Sequence, residues 1–66
     1  MTYRPDLNDE LRDRHGRSGK IVDIEFENPG LVYVVEWNKV WGKIIQRHSE
    51  GEVAKARRRF LKVKGR

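Results

Sequence analysis

From Lys20 to Glu27, apolar and acidic residues alternate: Val22, Ile24 and Phe26 fall on one side, Asp23, Glu25 and Glu27 on the other. A period of two marks a half-buried β-strand. Three turn formers in a row, Asn28-Pro29-Gly30, end it. The next run, Leu31 to Trp37, is β-branched and aromatic up to Glu36. It reads as a central strand buried on both faces. The short link predicts an antiparallel hairpin between the two. Asn38-Lys39 then reverse the chain, and Val40 to Arg47 form a further strand with Gly42 inside it, as a bulge or sharp bend.

The pattern is weaker upstream. Residues 1–9 hold Pro5, Asn8 and Asp9 and read as an irregular N-terminus. Glu10 to His15 has one apolar residue, Leu11, and fits a short strand or a helical turn capped by Asn8. His15-Gly16-Arg17-Ser18-Gly19 is a loop, because two glycines in five residues permit a tight reversal.

Downstream, Ser49 followed three residues later by Glu52 is a capping box, which predicts a helix over residues 50–61. Val53, Ala56, Phe60 and Leu61 recur at helical spacing as one apolar stripe. Glu50 and Glu52 suit the positive end of the helix dipole, and the later cations suit its negative end. Residues 62–66 read as a basic tail. Phe26, Phe60 and Trp37 are the expected aromatic core.

At 66 residues the chain is a single domain, 1–66, with the short strands at 10–47. A domain this small buries only about 60% of the surface its unfolded chain exposes. Cysteine is absent, so no disulfide supplements the core, and two histidines without a thiol make a structural zinc site a poor fit. No cofactor is expected. No apolar h-region opens the chain and no apolar run approaches the length of a membrane span, so the expectation is a soluble, cytoplasmic protein without a membrane partner.

Charge changes the picture most. Residues 1–54 carry a net −2, whereas residues 55–66 carry seven cations and no acid; together they give the formal +5. Such asymmetry points to a polyanionic partner, nucleic acid first and an acidic protein second.

The run Arg14-His15-Gly16-Arg17-Ser18-Gly19-Lys20-Ile21-Val22-Asp23-Ile24 resembles the opening of SH3-like barrels of the KOW and Tudor type, where a basic segment leads through a Gly-x-x-Gly turn into an alternating strand. Tyr33-Val34-Val35-Glu36-Trp37 is similar to a later strand of that class. The resemblance covers residues 10–47. It implies a mainly β fold, a small SH3-like antiparallel barrel followed by the basic C-terminal helix, in a class whose members bind RNA, DNA, ribosomal proteins or peptide tails.

The residues do not assemble a catalytic group. Ser18 and Ser49 are explained as loop and cap residues, Asp23, Glu25 and Glu27 as a solvated strand face, and neither phosphate-loop fingerprint is present. The expectation is a non-enzymatic binding module. Its candidate phosphate contacts are Lys55, Arg57, Arg58, Arg59, Lys62, Lys64 and Arg66 on the helix and tail. A second group, Arg14, Arg17 and Lys20 with Arg12 and His15, surrounds the glycine loop, where backbone can approach a phosphate closely. Trp41 either stacks on a base beside Lys39 and Lys43 or covers the open end of the barrel. The alternative is a protein-interaction module of the phage or plasmid accessory type, in which a partner or a second copy, as a homodimer, covers the two-sided strand Leu31 to Val35.

Overall fold

The computed structural model describes residues 3–28 and 30–64, with Lys64 described by its backbone alone. Four antiparallel strands and one helix follow in the order β1 (Glu10–Arg12), β2 (Ser18–Glu27), β3 (Gly30–Lys39), β4 (Gly42–Ser49) and α1 (Glu50–Lys64). The strands form one sheet in the order β1-β2-β3-β4, each pairing with its neighbour in sequence. The helix packs chiefly on β1.

The alternation in β2 breaks once. Ile21 faces Val35 across the ladder, but Asp23, not Val22, faces Val34, so Val22 is the extra residue of a β-bulge. The bulge puts Ile21 into the core and leaves Val22 exposed, reversing the expected inward position of Val22. A bulge bends its strand and raises the local twist. The sequence sign of it is the adjacent pair Ile21-Val22, two apolar residues where alternation allows one.

β3 is the middle of the core. Tyr33, Val35 and Trp37 are buried on one face, together with Leu11, Ile21, Val53 and Ala56, and Ile24 and Ile44 pack against them. The other face of β3 is only half covered, which corrects the expectation of a strand buried on both sides. Val32 and Val34 are half-buried there. They sit opposite Glu25 on β2 and Arg47 on β4, which are joined by a 2.9 Å ion pair that passes over β3. Lys43 and Glu36 form a second pair at 3.3 Å. The aliphatic stems of such pairs cover apolar surface while their charges stay in water.

Phe26 is also corrected. It is 72% exposed and lies opposite Leu31, itself exposed, at the far end of the β2–β3 hairpin. The intervening Pro29 lies outside the described residues. The next reversal falls at Val40–Trp41, because β3 runs on through Lys39. Gly42 therefore opens β4 and does not bulge within it. Its φ of +134° lies where only glycine is unstrained.

The helix begins where the capping box places it. Glu52 N–H donates to Ser49 Oγ at 3.4 Å, and Ser49 N–H donates to Glu52 Oε1 at 3.2 Å. It continues to Lys64, three residues beyond the expected end, so Lys62 to Lys64 are helix and not tail. Val53 and Ala56 are buried, Phe60 is half-buried, and Leu61 faces outward, outside the stripe assigned to it.

Residues 3–9 are irregular but tied down. Asn8 N–H donates to the Ile21 carbonyl at 2.8 Å, and Ile21 N–H donates to the Asp9 carbonyl at 3.1 Å. The Tyr3 hydroxyl donates to Asp9 Oδ2 at 2.6 Å. Burial, then that hydrogen bond, pushes the Tyr3 phenol well above its usual range.

Candidate nucleic-acid interface

The β1–β2 loop is folded by one carboxylate. Asp13 Oδ1 accepts from His15 N–H at 2.9 Å and from Arg17 N–H at 2.8 Å. Gly16 N–H donates to the Asp13 carbonyl, and Gly16 takes a φ of +85°. Arg12 bends back so that Nη1 donates to the Gly16 carbonyl at 2.9 Å, while its Nε is buried with no hydrogen-bond partner. An anion-binding loop needs amides that point at the ligand. Three of these amides are occupied by the loop's own Asp13, those of His15 and Arg17 by its carboxylate and that of Gly16 by its carbonyl. Asp13 is thus the scaffold of the basic loop, and side chains, not backbone, are what the loop offers to a ligand.

One of those side chains meets the helix. A cleft of about 420 Å³ lies between the loop and α1. Its floor includes the buried Leu11, Trp37, Val53 and Ala56, with His48 of β4 beside them. Arg14 from the loop and Lys55 and Arg59 from the helix line it, together with Asp13 and Glu52. Lys55 and Arg59 are one helical turn apart, so they share an edge of α1, and Lys62 follows at the next turn.

The floor is held by hydrogen bonding as well as packing. Trp37 Nε1–H donates to His48 Nε2 at 3.1 Å, and the two rings meet edge to face with centroids 5.8 Å apart. Accepting that bond requires a lone pair on Nε2, so the His48 proton sits on Nδ1, which faces Glu52 Oε2 at 3.6 Å. The Ser49 backbone N–H, followed by the Ser49 hydroxyl and the nearby His48, holds the Glu52 carboxyl below its usual range.

The other expected contacts are dispersed. Arg57 is half-buried and turned the opposite way: Nη1 donates to the Glu10 carbonyl at 2.9 Å, and the guanidinium lies 5.1 Å from the Phe60 ring centre and 6.0 Å from that of Tyr3. It covers backbone of β1 on the side away from β2, a structural duty that blunts an exposed edge. Arg58 and Lys62 are exposed on α1, and Arg17 is exposed on the loop. Lys20 lies on the face of the sheet opposite the helix, between Glu10 and Glu36 as its direct cross-strand partners. Both of its cross-strand neighbours are therefore acids, and it does not line the cleft that Arg14 lines. The Lys64 side chain and Arg66 lie outside the described residues.

Trp41 is 97% exposed at the β3–β4 reversal, with Val40 beside it also in solvent. Gly19 pairs with Trp37 across the ladder and Asn38 Nδ2 donates to Ser18 Oγ at 3.1 Å, so this reversal and the basic loop emerge at one end of the sheet. Among the described residues, no group of three His, Cys, Asp or Glu is placed to hold a metal ion, and no helix is long and apolar enough to cross a membrane. In comparison with known proteins, no family model, no curated protein and no solved structure matches the chain.

Proposed function

We propose that this chain is a small non-enzymatic module that binds nucleic acid in the cytoplasm, built on an SH3-like barrel whose sheet is closed off by the basic helix. The observation that carries the reading is the convergence of Arg14 with Lys55 and Arg59 on one cleft. Arg14 is more than forty residues from Lys55 and Arg59 in the chain and lies on the β1–β2 loop, whereas they lie on α1. Surface cations that serve only solubility have no reason to converge on an apolar floor. Phosphates bound here would release counterions, giving a steep salt dependence and little sequence selectivity from the backbone contacts alone. Arg17, Arg58 and Lys62 add long-range attraction around the same end and edge, and Trp41 offers an exposed face for stacking.

The test is fluorescence anisotropy of labelled RNA and DNA oligonucleotides across a salt series, on the wild type and on a triple variant Arg14→Glu, Lys55→Glu, Arg59→Glu. The wild type binds with an affinity that falls as salt rises, and each lost phosphate contact flattens the slope of log affinity on log salt by about 0.7–0.9. An unchanged slope in the triple variant defeats the reading, as does a wild type that binds no oligonucleotide at low salt.

A second reading has one observation of its own. Phe26 and Leu31, paired across the β2–β3 ladder, are both exposed, and an exposed apolar pair at a sheet end suits a protein partner, acidic given the chain's net charge, or a second copy of the chain. Sedimentation of the wild type beside Phe26→Ser reads this directly: a dimer that the substitution dissolves supports it, and a monomer that recruits no partner removes it.

A further inference from the structure

On the nucleic-acid reading above, we infer that the cleft between the β1–β2 loop and α1 receives one unpaired base carrying an exocyclic amine, so that the protein selects single strands and, among them, cytosine over thymine. Three features of the cleft carry this. The first is its floor. A phosphate needs cations and solvent, whereas the base of this cleft is the protein core: Leu11 and Val53 lie fully buried beneath it, and Ala56 and Trp37 reach its surface only at 4% and 6% exposure. An apolar floor beneath a charged rim is the arrangement of a pocket for an amphipathic ligand, flat and apolar at one end and ionic at the other, which is the chemistry of a nucleotide.

The second is size. At about 420 Å³ the cleft falls within the range of small-molecule pockets, roughly 300–1,000 Å³. A base stacked within a duplex cannot enter it without leaving the stack, and the unstacking penalty weighs against duplex ligands. A single strand offers its bases unpaired, and recognition of such bases through their edges is the common mode for single-stranded ligands.

The third is the acids. A site built only for phosphate would exclude carboxylates, yet Asp13 and Glu52 line the cleft beside Arg14, Lys55 and Arg59. Neither is an accident of surface composition. Asp13 is fixed by the loop amides through Oδ1, and Glu52 is fixed by the helix cap through Oε1. Asp13 is held through Oδ1 alone, which leaves Oδ2 to accept from a ligand, whereas Glu52 Oε2 already faces His48 Nδ1 at 3.6 Å and adds negative charge to the wall. Carboxylates accept from the exocyclic amine of cytosine, and thymine presents a carbonyl at the same position. The cations then hold the flanking phosphates, and the acids discriminate between bases.

The test uses the Trp41→Ala protein, so that stacking at the exposed reversal contributes nothing. Labelled oligo(dC), oligo(dT) and a duplex of the same length are titrated at fixed low salt. Trp37 is then the sole indole, and its N–H resonance is followed as cytidine 5′-monophosphate or ribose 5-phosphate is added. The expected result is oligo(dC) bound about fivefold or more tighter than oligo(dT) and than the duplex, with the indole N–H moved by cytidine monophosphate and not by ribose phosphate. Equal affinity for oligo(dC) and oligo(dT), a duplex bound as well as the single strands, or an indole that answers both small ligands alike would overturn the base pocket while leaving phosphate binding in place. Absence of binding to all three oligonucleotides by the wild type as well as by Trp41→Ala would overturn both.

Discussion

Gly19 lies directly beneath the Trp37 indole. A Cβ built on Gly19 would meet three atoms of that ring, Cζ3 at 2.7 Å and Cδ2 at 2.8 Å among them, closer than side chains pack. The glycine is needed here for space, since the ring is large and sits on the floor of the cleft. Gly19→Ala therefore forces Trp37 off its position. We expect a loss of about 1–3 kcal/mol in urea denaturation, the usual result of overpacking a well-filled core. The same variant weakens the Trp37–His48 hydrogen bond, so the indole N–H resonance shifts. An unchanged midpoint with an unchanged indole signal would show that the ring has room to move.

Arg57, Arg58 and Arg59 look alike in the sequence, but α1 gives them separate surroundings. Arg57→Met removes the bond to the Glu10 carbonyl and the guanidinium contacts with Phe60 and Tyr3. It is expected to lower stability by about 1–2 kcal/mol and to change oligonucleotide affinity little. Arg59→Met reverses this pattern, with stability within about 0.5 kcal/mol of wild type and weakened binding. Paired chemical denaturation and anisotropy measurements separate the two. Loss of affinity in Arg57→Met equal to that in Arg59→Met would contradict the division of roles.

That division marks the limit of what pattern alone conveys. The strands of the β2–β3 hairpin and the helix start were legible because alternation and the Ser49–Glu52 cap are local signals. The sequence leaves Trp41 open between an exposed stacking side chain and a barrel cover; its exposure depends on the reversal falling at Val40–Trp41, one step beyond Asn38-Lys39. What escaped depends on contacts between distant segments. Alternation says that Phe26 shares a side with Ile24, but not that core packing stops short of the strand's end. The bulge at Val22 exchanged which of two adjacent apolar residues points inward. Arg14 and the Lys55–Arg59 edge were both visible as basic groups, and their convergence was not, because it depends on how α1 docks on β1. The part of Asp13 in folding the loop is invisible in the sequence, because the partners of its carboxylate are backbone amides.

Trp41 has little to lose by removal from the fold. At 97% exposure its truncation to alanine leaves stability within about 0.5 kcal/mol of the wild type. If the side chain stacks on a base, the same truncation weakens single-strand binding by about 1–3 kcal/mol. Tryptophan emission offers a second readout, because quenching on titration with unlabelled single strands disappears in the variant. Full quenching retained in Trp41→Ala would assign the stacking elsewhere.

The capping box predicts a response to acid with a definite sign. Glu52 has its carboxyl held below its ordinary value of 4.5, chiefly by the Ser49 backbone N–H; burial opposes this next, and the Ser49 hydroxyl and His48 add lesser lowering effects. A lowered folded-state pKa means that the unfolded chain takes up its proton first as pH falls. The stabilisation from this group is therefore complete above the unfolded value and is lost progressively below it, as pH falls through the lower folded value. Helix content followed by circular dichroism should decline over that interval in the wild type. In Glu52→Gln, which keeps a capping side chain but has no proton to bind, the part of the decline due to this group is absent. Ser49→Ala removes the partner instead and costs about 1 kcal/mol at neutral pH. Identical acid profiles for wild type and Glu52→Gln would place the acid sensitivity in other carboxylates, and the cleft wall formed by Glu52 would then keep its shape through acidification.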